Sequence, residues 1–298
     1  MINDNFLICP ICCSNFITQD QKYNCKKCQK KFPIVNNVGV LVPSPEKHLT
    51  KINEKMKSST KDWYTSDQIQ SYDKGPYRFH IQKRIKFLKK TIQSHIKKDG
   101  KFQNILDLGC GDGANLRWLN EFGENIWATD YNLLRLERTY KTMNTLGINA
   151  KIYLSDIFSL PFKKNSFDLI FFNHVLEHLE NDREALQNIY NITKPGGIVI
   201  VGTPNEGSVA WKFAYFIEPE IKKKTDHVNF YTAKSLEKIA ENVGFKIMHT
   251  EHMGWGIPIW KADPIFRKYK ILDDIFEIIG KKLFYKQATS LYLILKKE

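Results

Sequence analysis

From residue 104 onward, short apolar runs alternate with stretches whose apolar residues recur at helical spacing. Ile105-Leu106-Asp107-Leu108 reads as a strand running into a turn, Gly109-Cys110-Gly111-Asp112-Gly113. A helix is expected at once behind it, from Ala114, Leu116, Trp118, Leu119 and Phe122. The same pattern predicts strands over 126–129, 150–154, 167–172, 198–202 and 246–250. Helices are expected over 133–146, 182–193 and 233–242, the last capped by Thr232, and a final strand over 290–296. Strands alternating with helices imply an α/β fold with right-handed parallel crossovers and ligands at the strands' C-terminal ends.

Two long excursions interrupt this alternation. Residues 208–226 are aromatic (Trp211, Phe213, Tyr215, Phe216) and end on Lys222-Lys223-Lys224. Residues 252–286 are apolar and partly helical, with Ile271, Ile275, Ile278 and Ile279 in step. Upstream, Ile81, Ile85, Leu88, Ile92 and Ile96 mark an amphipathic helix with Lys83, Arg84, Lys86, Lys89, Lys90, Lys97 and Lys98 between them. Residues 44–75 are polar and read as part of a linker, extended to residue 80, although Trp63, Tyr64, Tyr72 and Tyr77 are many for one. They would form a lid or dock the linker on the core.

The first 43 residues read as a unit of their own. Cys9-Pro10-Ile11-Cys12 and Cys25-Lys26-Lys27-Cys28 are two knuckles with twelve residues between them. Four thiolates at this spacing can converge on a tetrahedral Zn²⁺, and the full set of cysteines makes the metal structural. So short a segment needs such a metal to fold. Cys13 is an alternative to Cys12, though the spacing favours Cys12. A strand, an Asn36-Asn37 turn and a second strand follow, over 31–42.

At 298 residues the chain holds one large domain plus an appendage. Its formal charge of +13 is uneven: residues 1–101 hold 20 Lys/Arg against 8 Asp/Glu, and residues 102–250 hold 16 against 18. The basic first third suits RNA or an anionic surface, or is solvated lysine alone. The N-terminus lacks the apolar length of a secretory signal, and no run approaches a membrane span; the expected location is the cytoplasm.

The glycine turn sets the chemistry. Gly109, Gly111 and Ala114 satisfy the dinucleotide spacing, but Asp107 would sit where a pyrophosphate must pass. An acid there suits an ammonium or sulfonium. Asp130, about 20 residues on, suits ribose hydroxyls. A ligand with ribose, a cationic amino-acid tail and no phosphate is S-adenosylmethionine (SAM).

The string resembles motif I of class I SAM-dependent methyltransferases, and the likeness covers about residues 104–250 plus the last strand. It implies a Rossmann-like domain of seven strands over 81–298, with the last strand antiparallel beside the sixth. By that likeness Asp107, Gly109, Cys110, Gly111 and Gly113 hold the methionyl end. Asp130 and Tyr131 lie at the ribose, and Asp156 and Ile157 (or Phe158) at the adenine. The segment Asn173-His174-Val175-Leu176-Glu177-His178 resembles the string of ubiquinone-type O-methyltransferases. It places Asn173 and His174 where a base or a ligand of substrate or cofactor is expected. Some relatives bind a divalent metal through such an acid and imidazole, but no second His/Glu cluster accompanies Glu177 and His178 in sequence. Asp226-His227-Val228-Asn229-Phe230-Tyr231-Thr232 also resembles the O-methyltransferases, and His227 is the expected general base. The N-terminal unit is similar to the zinc ribbon of bacterial ribosomal RNA guanine methyltransferases and to small activator domains that partner methyltransferases.

Two absences narrow the chemistry. There is no Asn-Pro-Pro-Tyr for exocyclic amine methylation, and no spare cysteine for covalent attack on a pyrimidine. The resemblance of Val175-Leu176-Glu177-His178 and of Asp226–Tyr231 to the O-methyltransferases, with the two aromatic excursions, implies a small-molecule or glycan hydroxyl as the acceptor. RNA, read by the ribbon and the basic first third, is the alternative, and a non-catalytic SAM-binding partner protein is the third reading.

Overall fold

The computed structural model describes residues 6–19, 22–58, 74–96, 100–259 and 261–298. Trp63, Tyr64, Tyr72, Lys97 and Lys98 lie outside them. The chain divides into two compact units. The first comprises Met1–Gln70, Lys101–Phe171 and Asn191–Gly197; the second comprises Ser71–Gly100, Phe172–Tyr190 and Ile198–Glu298.

In the first unit, β1 (Phe16–Gln19), β2 (Lys22–Cys25), β3 (Lys31–Val35) and β4 (Val38–Leu41) form an antiparallel meander. Asn36 and Asn37, at φ 49° and 67°, make the tight β3–β4 turn in the left-handed conformation that asparagine tolerates. β4 then pairs in parallel with β7 (Ala150–Ser155), β7 with β6 (Gly123–Asp130), and β6 with β5 (Phe102–Leu108). β8 (Phe167–Asn173) flanks β5 on its other side.

Residues 1–43 therefore do not stand apart as the sequence suggested. The reason lies in β4 itself: Val38, Val40 and Leu41 are all fully buried. A continuous apolar run that is buried on both faces belongs inside a sheet, not at the surface of a small ribbon. Gly39 contributes too, since a Cβ there would come within 2.9 Å of Tyr23 and 3.0 Å of Tyr153. Part of the expected linker is also ordered, as the helix Pro45–Ser58.

The helix expected behind the glycine turn shrinks to Leu116–Leu119. The Asn120 side chain ends it by donating to the Leu116 and Arg117 carbonyls at 2.9 and 2.8 Å. Leu116, Trp118, Leu119 and Phe122 are buried as their spacing foretold. At the centre of the unit Trp127 on β6 is 1% exposed. It stacks on Tyr153 at 5.9 Å and meets the edges of Phe162 and Phe167 at 5.9 and 6.0 Å. Trp127→Ala should lower unfolding free energy by about 3–5 kcal/mol in urea titration. Trp127→Phe should cost clearly less, because the indole Nε1 has no hydrogen-bond partner to lose. Equal losses would contradict this packing account.

In the second unit, β11 (Ser290–Lys297) runs antiparallel to both β9 (Thr193–Pro204) and β10 (Phe245–Met253). The last strand is antiparallel, as expected. Helix Ala233–Val243 begins with a capping box between Thr232 and Ser235 and ends on Gly244 at φ 106°. The two excursions hold helices Val209–Ile217, Glu220–Lys224, Asp263–Arg267 and Lys270–Leu283. Among the described residues no helix is long and apolar enough to cross a membrane.

Candidate active site

The glycine turn lies at the C-terminal end of β5 in the first unit. Gly109, Gly111 and Gly113 have φ of 76°, 58° and 77°, a conformation that costs glycine nothing. Four of the turn's five N–H groups are spent inside the protein. Gly109 and Cys110 both donate to the Thr129 carbonyl, at 2.7 and 2.9 Å, and Gly113 donates to the Cys110 carbonyl. Gly111 donates to Asp130 Oδ2 at 2.9 Å, and Asn132 donates to Oδ1 at 2.9 Å. The turn is a strapped loop, followed by a helix of four residues.

Asp107 is 1% exposed, and its Oδ2 has no hydrogen-bond partner. Burial, with the charge of Asp130 adding to it, pushes its carboxyl up to about 8. A cationic group beside Oδ2 would reverse that, so the site fits an ammonium and not a phosphate. Tyr131 is half-exposed, its ring edge-on to His48 at 4.1 Å. His48 Nε2 donates to the Tyr131 carbonyl at 2.9 Å. Asp156 Oδ1 accepts from the Phe158 N–H at 3.0 Å, while Ile157 is buried and Phe158 is 38% exposed. Asp112, in the middle of the motif, is occupied structurally: its Oδ1 takes Arg138 Nη2 at 2.9 Å and Arg135 Nε at 3.3 Å.

The second unit contains a cavity of ≈ 270 Å³. Trp211, Ala214, Ile257 and Ile259 form much of its apolar wall, and His174, Glu206 and His227 also line it. Glu206 is buried, and both its oxygens accept from His227 Nδ1, at 2.9 and 2.8 Å. Tyr215 also donates its hydroxyl to Glu206. His227 Nε2 is thus the nitrogen left to face a ligand. Burial opposes a charged imidazole, but the hydrogen bonds and charge of Glu206 outweigh it and raise the His227 pKa above its ordinary value.

His174, at φ 56°, bonds Glu177 Oε1 through Nδ1 at 3.2 Å. The other Glu177 oxygen is buried without a partner. Glu177, His178 and His227 bring one ligand atom each to within 4.8 Å of one another. The second His/Glu cluster that the sequence does not display is supplied by His227, about fifty residues downstream. His178 Nδ1 is held by the Asp226 carbonyl at 3.2 Å. Asn173 does not line the cavity; its Oδ1 is buried without a partner, in the space a Cβ on Gly202 would fill.

At the N-terminus, the sulfurs of Cys9, Cys12, Cys25 and Cys28 lie within 4.8 Å of one another. The Cys9–Cys28 and Cys12–Cys25 separations are 3.6 and 3.4 Å. A tetrahedron of Zn–S bonds near 2.3 Å puts sulfurs about 3.8 Å apart, so the set fits that ion. Backbone N–H groups of Ile11 and Cys28 point at the Cys9 and Cys25 sulfurs, at 3.5 and 3.4 Å, as thiolates require. Cys13 is exposed and outside the cluster.

Residues 79–250 match the profile of a methyltransferase domain family. The chain belongs to that family. It is a class I SAM-dependent methyltransferase, with the Rossmann-like α/β sheet that class carries. The methyltransferase is 26% identical to a ubiquinone biosynthesis O-methyltransferase of Rickettsia typhi, over 67% of this chain and 81% of that one. It is 28% identical to phosphoethanolamine N-methyltransferase 2 of Caenorhabditis elegans, over 53% of this chain and 36% of that one. Its fold resembles the crystal structure of protein PH0226 from Pyrococcus horikoshii (TM-score 0.53, 16% identity, 80% and 97% covered). The methyltransferase's Glu206 escaped the sequence reading, although a lone acid between Pro204 and Gly207, just past a strand end, was a visible signal. His48 escaped because it lies in a segment read as linker.

Proposed function

We propose that this methyltransferase O-methylates a hydroxyl on a predominantly apolar small molecule. The observation that carries this is the Glu206–His227 pair in an apolar cavity. Tryptophan, isoleucine and alanine walls suit an aromatic or aliphatic acceptor better than a glycan. The likeness to a ubiquinone biosynthesis O-methyltransferase supports the same acceptor atom. SAM, when bound, supplies a methyl group activated by its sulfonium. The protein's own work is small. Asp107 faces the ammonium with its free oxygen, Asp130 presents carboxylate lone pairs to a ribose diol, and Asp156 and Ile157 bound the adenine. His227 Nε2 takes the proton of the acceptor hydroxyl, and Glu206 orients the imidazole and stabilises the imidazolium formed. His174 lines the acceptor side. Asn173 is assigned to the cofactor or acceptor by its place at the end of β8. Cys9, Cys12, Cys25 and Cys28 hold a structural Zn²⁺.

A second reading shares these residues. The unpartnered buried oxygen of Glu177, beside His178 and His227, favours a divalent cation that positions the acceptor.

The test is transfer of radiolabelled methyl from SAM by the purified chain. Total cellular RNA and a solvent-extractable small-molecule fraction serve as acceptors, with and without ribonuclease and with and without EDTA. Label in the extractable fraction, indifferent to ribonuclease and EDTA, is expected. Ribonuclease-sensitive label would overturn the proposal in favour of RNA. Activity lost in EDTA and restored by Mg²⁺ or Mn²⁺ would favour the cation reading over the base.

A further inference from the structure

Helix Lys270–Leu283 is amphipathic the wrong way round. Its inward seam is Asp273 and Gly280. Asp273, 2% exposed, takes Arg267 Nη1 at 3.1 Å and Lys83 Nζ at 2.6 Å. Gly280 lies against Trp255, whose ring occupies the space a Cβ would need. Leu272 and Phe276 are half-buried, but the other five of its seven large apolar side chains face away: Ile271 is 74% exposed, Ile275 43%, Ile278 55%, Ile279 44% and Leu283 71%. At positions i, i+4, i+7, i+8 and i+12 they form one stripe. A contiguous exposed apolar stripe of this kind marks an interaction face.

Its surroundings identify the partner. Exposed Lys268, Lys270, Lys281, Lys282 and Lys286 flank the stripe. Lys270 and Lys281 pair with Asp274 and Glu277 on the same helix, weak contacts at a solvated surface. Exposed aromatics stand at both ends: Phe266 and Tyr269 before the helix, Phe284 and Tyr285 after it. Apolar centre, lysine rim and terminal aromatics are the composition of a helix lying in a lipid headgroup layer. At 14 residues it is too short to span a bilayer. A second copy of the chain would set one lysine rim against another, whereas anionic headgroups complement it.

We propose that helix Lys270–Leu283 is an interfacial anchor that lays its isoleucine face on an anionic membrane surface. The residues on either side of the anchor, Ile257, Ile259 and Gln287 among them, line the cavity described above. An apolar acceptor dissolved in the lipid would so be held near its site.

The test is co-sedimentation of the full chain with phosphatidylglycerol/phosphatidylcholine vesicles, against pure phosphatidylcholine, at low and high salt. No SAM or acceptor is present, so the result is independent of the methyl-transfer reading. Binding is expected to the anionic vesicles, to fall severalfold in high salt, and to drop at least tenfold in Ile275→Glu/Ile278→Glu. Both side chains are exposed, and the variant's unfolding curve should match the parent's. Lys281→Glu/Lys282→Glu should reduce binding with the apolar stripe intact. Equal sedimentation with and without vesicles would overturn the proposal. So would a doubled mass in light scattering that Ile275→Glu/Ile278→Glu abolishes without any vesicle binding, which would make the stripe an interface between copies.

Discussion

Asp130→Ala should weaken SAM binding by at least about a hundredfold in calorimetry while leaving a folded chain. The Asp130 carboxylate accepts from the Gly111 and Asn132 N–H groups, so it straps the glycine turn to the end of β6. Each charge-assisted bond of this kind contributes roughly 1.5–3 kcal/mol, and alanine removes both. The lone pairs intended for a ribose diol go with them. The turn's other straps, from Gly109 and Cys110 to the Thr129 carbonyl, remain. The melting temperature should therefore fall, by up to roughly 2–4 °C per kcal/mol lost, with the chain still folded at 25 °C. Asp130→Asn keeps the shape and one acceptor and should fall between the two. Parental affinity in the alanine variant would refute the assignment of Asp130 to the cofactor.

His227→Ala should lower kcat about 10²- to 10⁴-fold on the acceptor that the transfer assay identifies, with KM little changed. The pH dependence separates a base from a merely structural histidine. Glu206 raises the His227 pKa, so the imidazolium persists to a pH above its ordinary range, and the free base appears only as pH rises through that value. In EDTA the rate should rise with pH, with a midpoint above about 6.5. Glu206→Gln removes the charge that holds the proton, so the midpoint should move down while kcat also drops. A midpoint that stays put in Glu206→Gln would contradict the pairing. The imidazolium–Glu206 contact also bears on stability. Its contribution is complete below the unfolded histidine value and is lost as pH rises through the raised folded one.

The parallel core was legible because its strands carry short apolar runs: Leu169-Ile170-Phe171-Phe172 in β8 and Ile105-Leu106 in β5 have few other destinations. The helix pattern from Ala114 misled because apolar spacing reports burial, and those residues are buried in turns as well as in a helix. Two N-terminal strands, β1 and β2, were invisible: Phe16–Gln19 and Lys22–Cys25 are short and mostly polar between their knuckles. The four cysteines were legible from spacing alone, because local spacing suffices to bring them together. Glu206 and His227 were not readable as a pair. Twenty-one residues and two helices separate them, and only the folded chain returns one to the other.

The parallel register of β4 on β7 makes the cysteine-bearing segment an edge guard. Without Gly39, Val40 and Leu41 opposite Tyr153, Leu154 and Ser155, β7 would expose a row of unpaired amides and carbonyls, a template for intermolecular strand addition. A chain shortened to its methyltransferase sheet would carry that open flank, so trimming the cysteine segment away should leave a chain prone to stack edge to edge. A Zn²⁺ held by the four cysteines, as proposed, would then have a colloidal consequence: by keeping the meander folded, it would keep the last parallel strand covered.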